Sequence, residues 1–133
     1  MNTRILHCGD NLQNYNLCIE KAVVGFTNLS PSVGDLIYLA VKVNGISYIG
    51  ARGIIGTSTN LKPWPNSQNY KFTFTLSNIE YCKPFNISGL AQFGGSYWAA
   101  KYLQSSKAIK DEPAVAFLND QFINNHSEIL IKF

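Results

Sequence analysis

Trp64 stands between Pro63 and Pro65 in the stretch "LKPWPNSQNY", and that setting is the first sign of chemistry in the chain. The two prolines restrict the backbone on both sides and hold the indole at low entropic cost. A flat ring held in this way can stack on a nucleic-acid base, a contact worth about 1–3 kcal/mol per base. It can equally act as a lid over the open end of a curled sheet. In "VVGFTN", Asn28 carries an amide that both donates and accepts, and Thr27 adds a hydroxyl. The same pair before "LSPS" also reads as the opening of a turn. Phe26 can stack or belong to the core. Arg52 is the one charge in "IGARGIIG", suited to a phosphate or a pocket rim, or to an edge strand guarded against aggregation. "FGGSYWAAKYLQSS" interleaves Tyr97, Trp98, Lys101 and Tyr102, with Lys107 following, which suits a rim that contacts a strand. Trp98 is better read as packing a helix on the sheet, which leaves Tyr97 or Tyr102 for the pocket.

Other chemistries find little footing. His7 and His126 lie near opposite ends of the chain and neither has a sequence-local carboxylate at ligand spacing. "GARGIIG" lacks the glycine spacing of a phosphate-cradling loop. Asp111, Glu112 and Asp120 fall on one late helix, where capping and solvation account for them. Cys8, Cys18 and Cys82 are odd in number and show no C-x-x-C spacing, so neither a disulfide framework nor a zinc site is suggested and no cofactor is expected. A reducing cytoplasm fits best, since no signal peptide or membrane-spanning run is visible. The formal charge of +3 permits contact with a phosphate backbone but is no dense basic stripe.

These side chains must be positioned by a small scaffold, and 133 residues suit one domain, 1–133. "YNLCIEKAVVGF" reads as a first strand. "LIYLAVKV" and "ISYIGARGIIG" form a hairpin about Asn44-Gly45, the former apolar enough to be covered on both faces. Gly50 and Gly53 mark bulges or a tight corner in the second strand. "YKFTFTLSNIEYC" alternates aromatic and polar residues, as a half-buried strand does. "PFNISGL" reads as a turn and a short segment, and "SYWAAKYLQSS" as a helical turn or two. "KDEPAVAFLNDQFINN" is a helix capped by Asp111, and "EILIKF" a last strand pairing back into the sheet. The sum is an α+β fold of about five or six mostly antiparallel strands, with two or three short helices and a barrel-like core.

The succession "VVGFTN", "VGDLIYLAVKVNGISYIGARGIIG", a Pro/Trp loop and "KFTFTLSNIEYCKPF" resembles the PUA-like superfamily, and within it the EVE and YTH domains. The likeness runs from about Tyr15 to Phe122. It implies a pseudo-barrel whose surface pocket takes one flipped-out, usually modified base of DNA or RNA. By position Trp64 matches the aromatic loop residue of that pocket. The Gly25-Phe26-Thr27-Asn28 segment matches the opposite wall, with Val24 where relatives often carry a tryptophan. A non-catalytic module reading a modified base is therefore expected, with Trp64, Asn28, Thr27, Phe26, Arg52 and Tyr97 at the base and Lys62, Lys101 and Lys107 near the backbone. Two alternatives stand beside it. One is an enzyme of the related ASCH type acting on RNA or a nucleoside derivative, with Lys62, Tyr70 or Lys101 in play. The other is an interaction module of a defence or restriction system.

Overall fold

A computed structural model describes residues 1–27, 31–94, 102–103 and 107–133. Their elements are β1 (Thr3–His7), α1 (Leu12–Lys21), β2 (Val23–Phe26), β3 (Leu36–Val43), β4 (Ile46–Ser58), β5 (Phe72–Asn86), α2 (Glu112–Asn124) and β6 (His126–Ser127), with short 3-10 segments at Ser67–Asn69 and Ile87–Phe93. One sheet runs in the order β1-β3-β4-β5-β2, and β6 also pairs with β5. The α+β class, the six mostly antiparallel strands and the short helices are as the sequence leads one to expect. Where the sequence suggests a nearly closed pseudo-barrel, the sheet is open, and among the described residues no pairing joins β1 to β2.

The hairpin of β3 and β4 forms as its turn dictates, with Asn44 and Gly45 both at positive φ. Register shifts against β5 fall at Ile49/Ala51 and Arg52/Ile54, where Gly50 and Gly53 lie. Gly50 also makes room for Tyr15, whose hydroxyl lies 2.6 Å from where a Cβ would stand. Both faces of β3 are buried. Tyr38 and Ala40 join Ile5, Ile49, Leu118 and Phe122 on the α2 side, while Ile37, Leu39 and Val41 join Tyr15, Ile19, Val24 and Trp64 on the α1 side.

Three local expectations are corrected, and one strand is new. Tyr15 to Lys21 is helical, not extended: Asn11 caps the start by accepting from the Asn14 amide, and Ala22 ends the helix in the left-handed conformation. The helix buries Tyr15, Cys18 and Ile19 on one side, and only Val23 to Phe26 continue as strand. β1, unforeseen, pairs parallel with β3. The segment "PF" does not turn, because β5 runs through Pro84 to Asn86. "EILIKF" is no strand: pairing with β5 stops at His126 and Ser127, and Phe133 instead packs against Tyr15 and Tyr48. The reading of "SYWAAKYLQSS" falls mostly outside the described residues. Among the described residues no helix is long and apolar enough to cross a membrane.

An ion pair holds β1 in place. Arg4 Nε meets Asp35 Oδ2 at 2.6 Å, and both side chains are buried. The amides of Asn2 and Ser32 also donate to the Asp35 carboxylate, at 3.1 and 3.0 Å. Burial alone would raise this carboxyl, but Arg4 and the two amides outweigh it and hold it below its ordinary value. Its contribution is therefore present above the unfolded pKa near 3.8 and is lost as pH falls through the lower folded value. Arg4→Met, which strands a buried carboxylate, should lower stability by about 3–5 kcal/mol in urea unfolding at neutral pH.

Candidate functional site

Two cavities flank the end of β1. The smaller, about 50 Å³, is lined by Leu6, His7, Cys8, Asn14, Cys18, Gly25, Trp64 and Tyr70. Trp64 is only 3% exposed. Its benzo edge lies flat on β2, where a Cβ on Gly25 would stand 2.9 Å from two indole carbons, so this close approach requires glycine. Tyr70 packs against the indole with ring centroids 4.8 Å apart. Asn14, on the first turn of α1, donates to Asn66 Oδ1 at 3.1 Å and to the Tyr70 hydroxyl at 3.2 Å, tying the helix to the Trp64 loop. Its own Oδ1 is buried without a partner.

Sulfur lies beside the indole. The Cys8 thiol donates to Cys18, which together with burial pushes Cys8 up; at Cys18 the same bond outweighs burial and lowers the thiol, with a lesser contribution from the Trp64 indole N–H. His7 stands between the cavities. Its Nδ1 accepts from the Gly9 amide at 2.9 Å, so in the neutral ring the proton sits on Nε2, which lies 2.9 Å from Ser47 Oγ and donates to it. Burial, then the nearby Lys42 charge, lowers the His7 pKa and keeps the ring neutral at pH 7. With that tautomer the imidazole holds no base directed at the serine.

The larger cavity, about 320 Å³, opens between the hairpin tip and the turn after β5. Among the described residues no group of three or more His, Cys, Asp or Glu side chains is placed to hold a metal ion.

Of the residues expected from sequence, Trp64 and the β2 segment do meet, and Gly25 forms the seam between them. The other assignments fare differently. Phe26 is a core residue, 3% exposed and packed edge-on against Phe74, so it offers no stacking face. Thr27 is exposed just beyond β2. Arg52 is no rim charge: it pairs with Glu80 at 3.0 Å, donates to Asn119 Oδ1 at 2.9 Å and covers the Phe122 ring at 4.2 Å. It therefore fastens α2 to the sheet on the face away from Trp64. Lys62 and Lys107 are exposed, the former on the Trp64 loop. Asn28, Tyr97 and Lys101 lie outside the described residues. Sequence reasoning passed over His7, Cys8, Asn14 and Cys18 as site residues because β1 and α1 were not recognised; the Asn11 cap was the available signal.

No protein family, no curated protein and no solved structure matches the chain.

Gly25→Ala should unseat the indole. Stability should fall by about 1–3 kcal/mol, and Trp64 emission should shift to the red in a Trp98→Phe background. The His7 ring makes a second, separate prediction. Since the unfolded ring takes its proton near 6.5 and the folded ring only at lower pH, stability should decline as pH drops below that value. His7→Gln should flatten this part of the urea-midpoint profile.

Proposed function

We propose that the chain is a non-catalytic nucleic-acid-binding module that receives a modified or flipped-out base beside Trp64. The reading draws on the resemblance to EVE and YTH domains and on one observation, the cavity in which Trp64, Tyr70, Gly25 and Asn14 meet. The unpartnered Asn14 Oδ1 suits an N–H donor on a base edge, since an unmet buried acceptor costs about 1–3 kcal/mol. Two aromatic rings at the same place supply stacking faces.

At about 50 Å³ the cavity holds the exocyclic edge of a base. Entry of a whole ring takes Trp64 off its seat on Gly25, exchanging one aromatic contact for another. Lys62, exposed on the same loop, is the cation nearest in sequence to the backbone of such a strand. With a formal charge of only +3, affinity for unmodified strands is weak and its salt dependence shallow. The three free thiols Cys8, Cys18 and Cys82 support a cytoplasmic setting.

The test is titration of dye-labelled oligonucleotides carrying methylated cytosine or adenine, followed by fluorescence anisotropy of the label. Trp64→Ala should weaken the preferred oligonucleotide about fivefold to hundredfold. Unchanged affinity in a variant with a native circular dichroism spectrum would show that the base is read elsewhere.

A further inference from the structure

The larger cavity has polar lining of one character. Lys42 supplies an ammonium, and among the described residues that line the cavity there is no carboxylate. Ser47 Oγ accepts from His7 Nε2, so its own hydrogen is left to donate. Asn86 uses its Oδ1 to accept from the Ser88 amide at 2.8 Å, so the amide group it has to offer is the NH2. The Ser88 hydroxyl adds a further donor at the same wall. Ile46, Leu90 and Leu103 supply apolar lining to the same cavity. A volume of about 320 Å³ lies at the lower end of the range of about 300–1,000 Å³ seen for small-molecule sites.

We propose that this cavity is a binding site for a small organic anion, a phosphate or carboxylate head on an apolar body of about one ring. The head meets Lys42 and Ser47, and the body lies on Leu90 and Leu103. Charge and donor count both select for it: a neutral ligand leaves the ammonium unused, and a cation is repelled by it. The His7 tautomer is what makes Ser47 a donor, so the Gly9 amide on one side of the ring sets ligand polarity on the other. This site shares none of its donors with the Trp64 cavity and does not rest on the nucleic-acid reading.

Phenyl phosphate, benzoate, inorganic phosphate and benzyl alcohol are titrated into the full chain and followed by amide chemical shifts. Phenyl phosphate or benzoate should give saturable shifts at Lys42, Ser47, Asn86 and Ser88, with benzyl alcohol and inorganic phosphate much weaker. Whichever aromatic anion binds better identifies the head. Lys42→Gln, at an exposed position, should weaken it by about tenfold or more, whereas Lys107→Gln should not. Ser47→Ala should weaken it as well. Benzyl alcohol binding as tightly as the anions, unchanged affinity in Lys42→Gln, or no saturable shift with any probe overturns the proposal.

Discussion

A carboxylate that is buried must be satisfied from every side, and Asp35 sets that condition for this fold. It sits at the mouth of β3 just after Gly34, whose positive φ turns the chain so that its amide reaches the Ile55 carbonyl at 2.8 Å. Arg4 can answer Asp35 only if β1 lies parallel alongside β3, with Thr3 opposite Leu36. The continuous apolar run of β3 would be content with many neighbours; the ion pair selects one strand, one direction and one register. Everything at the far end of β1 inherits that register, including His7 and Cys8.

From this follows the placement of both cavities. A five-residue strand delivers one histidine whose two nitrogens face different surroundings, the Gly9 turn and the β3–β4 hairpin. α1 then returns along the sheet and brings Asn14 and Cys18 back beneath the Trp64 loop. α2 covers the opposite face, where Arg52 fastens it, so the sheet separates two cores, one under α2 and one under α1 and the Trp64 loop.

How far this was legible depended on whether the signal was local. Asn44-Gly45 specifies its own turn, and Asp111 with Pro113 specifies the start of α2, so these elements can be read directly. "YNLCIEKAVVGF" is short and mixes the two periods; its β-branched end belongs to β2, and its helical part is declared by Asn11, which lies outside the apolar run. β1 is opaque for a different reason. It carries an arginine at a buried position, and only a partner 31 residues away makes that arrangement sensible. Arg52 misleads in the same manner, since its charge is neutralised by Glu80 across the sheet. Trp64 shows the boundary well: the prolines beside it stand in the sequence, while its depth of burial follows from Gly25, on another strand, lacking a side chain.

The indole N–H directed at Cys18 gives the Trp64 loop a chemical partner as well as a mechanical one. Two donors favour negative charge on that sulfur, and the indole is the lesser of them. Burial opposes that ionisation and outranks the indole as an influence, so a Cys18 brought into water would lose a donor and a desolvation cost together. Trp64 and Cys18 are therefore linked in chemistry and in packing, so replacing the indole alters the acidity of the thiol as well as the core around it.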